Sequence, residues 1–224
     1  MSIKDLPTAA RPREKLLAHG AASLADAELL ALLLRTGVKG LGVLQLAESV
    51  LMKFGGFHGL LNAQGDQLQR VKGLGPAKRA ELAAVLEMAR RSLSQRLTEA
   101  PVFESPQDVK HYVQLTLGGR ERETFSVLFL DSHHRLLACE TLFQGTVNQA
   151  TVYPREIVRR AMQCNAGAVV LAHNHPSGVA EPSRADEFIT ETIAKALDLV
   201  GVKLLDHLVV GQGSVVSFAE RGLI

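Results

Sequence analysis

Five consecutive apolar residues, Ala168-Val-Val-Leu-Ala172, run directly into His173-Asn174-His175, and this junction constrains the fold more than any other stretch of the chain. A short run of that kind, apolar at every position, fits a strand covered on both faces, and therefore a sheet with further layers around it. The neighbouring segments agree. Phe125 to Leu130 and Arg135 to Phe143 are β-type runs around the polar stretch Asp131-Ser-His-His134, which predicts a hairpin. Arg155 to Asn165 predicts a helix with Pro154 at its first turn. Ser183 to Val200 predicts another, and Lys203 to Val210 and Ser214 to Ser217 two closing strands. From residue 102 to residue 224 the chain reads as an α/β domain.

Residues 1–100 read differently, with helical patterning from Pro12 to Leu97 and no strand signal. Leu24 to Leu34 carries leucines at helical spacing, with Ser23 as the expected N-cap and Asp26 three residues later. Gln45 to Phe54 predicts a second helix stopped by Gly55-Gly56, and Asp66 to Val71 a short third. A long helix rich in Ala, Leu, Glu and Arg then runs from Pro76 to about Gln95. The composition changes at Thr98-Glu-Ala-Pro101, so two domains are expected, 1–100 and 102–224, an α+β chain overall.

Charge divides along the same line. Residues 1–100 hold 14 Lys and Arg against 9 Asp and Glu, and residues 101–224 hold 11 against 14, leaving +5 and −3 within the net +2. The basic half contains Val71-Lys-Gly-Leu-Gly-Pro-Ala-Lys78 between two helical patterns. Gly73 and Gly75 permit a tight turn, and Pro76 opens a helix whose free N–H groups favour an anion. With Lys72, Lys78 and Arg79 beside it, this turn resembles the helix-hairpin-helix motif, which implies DNA-backbone contact through residues 71–79. An interhelical turn with a purely structural role is the alternative. No apolar run is long enough to cross a bilayer, and Met1 to Pro12 lacks a signal-peptide core. The two cysteines, Cys139 and Cys164, form no C-x-x-C, so neither a disulfide scaffold nor a thiolate metal site is expected, and the expected compartment is the cytoplasm.

The chemistry is concentrated between Leu171 and Asp186. His173 and His175, two apart on an extended chain, project to one face of the sheet. Pro176-Ser-Gly178 turns the chain, Ser183 begins a helix, and Asp186 falls in its first turn. Two imidazole nitrogens and one carboxylate oxygen suit Zn²⁺ with a fourth position open to water, and a metal so placed lowers the pKa of water to roughly 7. Taken singly, Ser183-x-x-Asp186 is also a helix-capping pattern. In conjunction, such polar groups at the end of a buried strand need a partner, because burying them without one costs several kcal/mol.

The spacing His173-x-His175, ten residues, Asp186, with Ser183 three before the aspartate, resembles the JAMM motif of MPN metalloproteases. The fuller string His-Asn-His-Pro-Ser-Gly, with Tyr153-Pro-Arg-Glu156 before it and Leu205-Asp-His-Leu208 after it, is similar to the RadC family over essentially the whole chain. The resemblance implies an MPN (JAB/cytidine-deaminase-like) domain over 102–224, one zinc per chain on His173, His175 and Asp186, and hydrolysis of a protein or peptide amide bond. It also implies an upstream general-base glutamate, for which Glu123 matches best, with Glu140 and Glu156 as rivals. Ser183 is implied to help hold an oxyanion. Asn174 stands where the JAMM pattern often has Ser or Thr, a departure shared with RadC-like proteins. Asp206-His207 fits either a contact to a ligand histidine or a sheet-edge pair without a catalytic part. Other functions consistent with the sequence are a DNA-processing phosphoesterase and a non-catalytic scaffold. The single triad counts against the first, since phosphodiester chemistry usually employs two metals.

Overall fold

The computed structural model describes residues 3–61, 63, 65–145 and 152–224. The chain divides into two compact units, Met1–Met88 and Ala89–Ile224. The first is helical, with α1 at Pro12–His19, α2 at Asp26–Leu34, α3 at Val43–Phe54, α4 at Phe57–Leu61, α5 at Gly65–Gln69 and the start of α6 at Pro76–Glu99. Its core gathers Leu30, Leu34, Leu46, Val50, Leu60 and Leu82. The division falls inside α6, whereas the compositional change marks its end.

Ser23 is not the N-cap of α2. It lies in a 3-10 turn, Ala21–Ser23, where its hydroxyl donates to the Gly20 carbonyl at 2.7 Å. The helix starts at Asp26 with Ala25 as its N-cap, two residues beyond Ser23, and the Glu28 carboxylate accepts the Ala25 N–H at 2.8 Å. The glycine turn before α6 closes tightly on the bundle. Gly73 has φ +98°, which favours glycine, and a Cβ there would come within 2.8 Å of Leu46 Cδ1 and have to displace that side-chain tip. Lys78 donates to the carbonyls of Thr36 (2.6 Å) and Gly37 (3.5 Å), just beyond the end of α2.

The second unit comprises the end of α6, then α7 (Pro106–Leu117), β1 (Thr124–Leu130), β2 (Leu136–Gln144), α8 (Pro154–Gln163), β3 (Ala168–Asn174), α9 (Arg184–Asp198), β4 (Lys203–Val210) and β5 (Val215–Ser217). The five strands form one open sheet in the order β2-β1-β3-β4-β5. β1 runs antiparallel to β2 and β3, while β3 and β4 are parallel, joined by the α9 crossover. Strand alternation sorts the side chains. Leu128, Leu130, Val170, Ala172, Leu208 and Val210 pack beneath α7. Phe125, Val127, Phe129, Val169 and Leu171 pack beneath α8 and α9. Layers on both faces explain why β1 and β3 are buried at every position. This two-domain architecture, helical then mixed α/β with an open sheet, is that of the expected MPN-like fold.

The hairpin, β3, β4 and α9 lie within a few residues of their expected bounds. Helix α7 has no counterpart in the sequence reading. Its signal is nonetheless present: Pro106 at the first turn, Asp108 near the N-terminus, and Val109, Tyr112, Val113 and Leu117 at helical spacing.

Candidate metal centre

β3 ends in the middle of the sheet, next to the start of β1 and the C-terminal end of β4. It delivers His173 and His175 to the face covered by α9, and the His175 N–H continues the sheet by donating to the Val210 carbonyl at 2.9 Å. The chain then returns through a tight turn, with the Gly178 N–H on the His175 carbonyl (2.9 Å) and the Gln212 N–H on the Gly178 carbonyl (2.7 Å). Gly211 permits that approach. A Cβ there would lie 2.5 Å from the Gly178 carbonyl oxygen and 2.7 Å from the Ala180 nitrogen.

Ser183 is the N-cap of α9, its hydroxyl accepting the Asp186 N–H at 3.2 Å. The Asp186 carboxylate folds back to take the Ser183 N–H and O–H, each at 2.7 Å. That conformation points the carboxylate at both imidazoles, His173 Nε2 to Oδ1 at 3.2 Å and His175 Nε2 to Oδ2 at 3.4 Å. The two Nε2 atoms are 2.9 Å apart. His173, His175 and Asp186 thus form a metal-capable cluster, the only one among the described residues.

Hydrogen-bond accounting assigns the ring protons. The single Thr190 hydroxyl hydrogen goes to the Asp186 carbonyl, so its oxygen accepts from His207 Nδ1–H at 2.6 Å. His207 is fully buried, and burial first, then the neighbouring His173, pushes it well below the usual histidine range, so it is neutral and its Nε2 is an acceptor. That acceptor takes Nδ1–H of His173 at 2.8 Å. His175 in turn gives its Nδ1–H to the Val179 carbonyl at 2.8 Å. Both histidines therefore have Nδ1 committed elsewhere and direct Nε2 at one another and at a carboxylate.

The two Nε2 atoms, 2.9 Å apart, and the two Asp186 oxygens, 3.2 and 3.4 Å from them, are four electron-rich atoms that repel unless a cation lies among them. Without a metal, a proton is that cation. The hydrogen bond to Asp186 raises His175 against the opposing effect of burial, with the Val179 carbonyl and the charges of Asp186 and Glu123 adding to the rise. Burial acts to raise Asp186, yet the bonds from His173, His175 and Ser183 outweigh it and hold the carboxyl far below the usual range. Ligands at about 2.0–2.2 Å in a tetrahedron stand roughly 3.3–3.6 Å apart. The observed separations lie within a few tenths of an ångström of that spacing, so the residues suit zinc in donor type and in their spacing.

Glu123 immediately precedes β1, and its charge is felt at His175. Glu140 and Glu156 are engaged elsewhere: Glu140 in a bidentate pair with Arg160, and Glu156 with Arg159 at 3.0 Å. Asp206 stays out of the cluster, accepting from Ser217 Oγ (2.6 Å) and from the backbone of His207 and Ala219. Of that dipeptide it is His207 that touches His173. Thr190 is new to the site, and its signal was one helical turn from Asp186. Both cysteines are free. No helix among the described residues is long and apolar enough to cross a membrane.

Comparison with known proteins reaches both domains. A family model described as RadC-like JAB domain matches residues 103–223, and one described as UPF0758 N-terminal matches residues 3–80. A UPF0758 protein of Methylibium petroleiphilum is 68% identical over 222 residues, covering 99% of this chain and 100% of that protein. Those of Leptothrix cholodnii (64%, with 99% and 100% covered) and Acidovorax sp. strain JS42 (59%, with all of both chains covered) are similar throughout.

Proposed function

The chain belongs to the RadC (UPF0758) family, and from that premise we propose that its C-terminal domain is a zinc-dependent hydrolase of amide bonds, a JAMM-type peptidase or isopeptidase acting on a protein or peptide. One observation carries the reading: two imidazoles with Nδ1 committed elsewhere converge their Nε2 atoms on a carboxylate. His173, His175 and Asp186 would hold one zinc per chain. When bound, zinc supplies Lewis acidity and makes water acidic enough to lose a proton near neutrality, with a pKa of about 7.

The remaining work falls to the chain's own groups. Glu123, whose charge reaches His175, accepts the proton of the attacking water and passes it to the leaving amine. Ser183 supplies a hydroxyl donor for the oxyanion once it turns from Asp186 Oδ2, while its backbone N–H keeps that carboxylate oriented. A single metal-capable cluster among the described residues favours this chemistry over a two-metal phosphoesterase. A DNA contact at residues 71–79 would rest on Lys72 and Arg79, because the Lys78 ammonium is bonded to the Thr36 and Gly37 carbonyls.

Elemental analysis of the purified protein is expected to give about one zinc per chain, lost in the His173→Ala/His175→Ala variant. Glu123→Gln is expected to keep the zinc and lose peptide hydrolysis by about 100- to 10,000-fold. A protein that takes up no zinc when the metal is added back would overturn the metal assignment, and an active Glu123→Gln variant the assignment of the base.

A further inference from the structure

Asn174 lies between the two histidines at the end of β3, and its side chain points to the opposite face of the sheet, 2% exposed. There it makes three hydrogen bonds. Oδ1 accepts the Thr124 N–H at 2.9 Å, and Nδ2 donates to the carbonyls of Arg120 at 3.1 Å and Arg122 at 3.2 Å. Both amide hydrogens and the oxygen are engaged, all with the segment that leads into β1.

Two of those partners bracket one residue. The Arg122 carbonyl belongs to the peptide before Glu123, and the Thr124 N–H to the peptide after it. The remaining polar atom of that second peptide, the Glu123 carbonyl, accepts the Gly145 N–H at 2.8 Å. The β1–β3 ladder has its last pair at Phe125 and His173. One step further the Asn174 side chain stands in for the missing backbone partner, so the chain at Glu123 is fixed without being zipped into the sheet.

We propose that Asn174 is the positioning residue for Glu123: by holding the peptides on either side of it, Asn174 sets where the Glu123 carboxylate stands relative to His173 and His175. This rests on the reading of Glu123 as the base. One rigid strand then carries three consecutive assignments, ligand, clamp, ligand, and the base is set from the same strand that sets the metal. A hydroxyl at position 174 has a single hydrogen and a shorter reach, and cannot serve two carbonyls and an N–H together. An aspartate matches asparagine in size but has no N–H to give to Arg120 and Arg122.

Amide hydrogen exchange of the whole chain, with and without zinc, tests this, using Asn174→Asp and Asn174→Ser. The expected result is that exchange at Gly145 quickens at least about fivefold in both variants, and at Thr124 in Asn174→Ser, since an aspartate still accepts the Thr124 N–H; that is the size of one lost hydrogen bond, while β3–β4 amides such as Val170 and Val209 keep their protection. Zinc affinity, titrated against a competing chelator, is expected to stay within about threefold of the parent, since neither ligand is touched. Unchanged exchange at Thr124 and Gly145 in both variants overturns the proposal, as does zinc affinity falling by tenfold or more in both. Simple packing would spare the isosteric Asn174→Asp variant, so normal exchange in that variant beside loosened exchange in Asn174→Ser also counts against it. The base assignment is judged separately, on hydrolysis by Glu123→Gln, so either reading can fail alone.

Discussion

Replacing His207 by phenylalanine separates the orientation of a ligand histidine from the fold around it. The ring at 207 packs 4.8 Å from that of Phe218 and 5.5 Å from that of Phe125, an environment that accepts a phenyl group. What disappears is the acceptor for His173 Nδ1–H. In His207→Phe the His173 proton has two choices. It stays on Nδ1 as a buried, unpaired donor, or it moves to Nε2, where Asp186 receives it and the ligand atom is lost. Zinc binding must reverse the second choice and accept the first. An unsatisfied buried donor costs about 1–3 kcal/mol, which is roughly 5- to 150-fold in dissociation constant. Competition with a chromogenic chelator at fixed pH measures this directly, with the melting temperature of the metal-free variant reporting the fold. His207→Gln, whose Oε1 can accept the same proton, should recover most of the loss. An unchanged affinity in a folded His207→Phe protein would refute the proton assignment on which the site's fit to zinc depends.

Zinc and a proton compete for the same triangle, so the effect of zinc depends on pH. His175 is raised above 6.5, so its pairing with Asp186 stabilises the metal-free fold fully below that value and is lost as pH climbs through the raised one. The melting-temperature gain from zinc should therefore widen between about pH 6 and pH 8, and a constant gain would contradict the sign. Ser183→Ala removes the α9 cap at a cost of about 1 kcal/mol, visible by calorimetry as roughly 2–6 °C, and no change would deny the cap its role. Gly73→Ala forces a side chain into a left-handed turn against Leu46 and should destabilise the N-terminal unit by more than about 1 kcal/mol in denaturant titration.

The parts of the site written in consecutive residues were legible. An apolar run followed by His-x-His fixes which face both imidazoles share, and Ser183-x-x-Asp186 fixes the start of α9, because both patterns follow from local backbone periodicity. His207 was legible only as a choice between roles. Deciding it needs the parallel register of β3 and β4, which pairs Leu171 with His207 and His173 with Val209 and so brings the ring diagonally beside His173. Thr190 is visible only once His207 is in place. Ser23 carries a capping pattern two residues before the cap that forms, Ala25, and α7 lacks a leucine-rich signature because its apolar positions are separated by polar residues.

The return of the chain from His175 is held to the end of β4 by backbone alone, with Gly178 and Gly211 in close approach and Gln212 bonded across. Nothing in that arrangement requires a metal. A protein built this way differs from a zinc finger, whose ligands converge only when the ion draws them together. Here the ion would arrive at a socket already cast, so loading and stripping should be fast, reversible and nearly silent in circular dichroism. On the proposed zinc-hydrolase reading, such a domain would stay folded when zinc is scarce and lack only the ion.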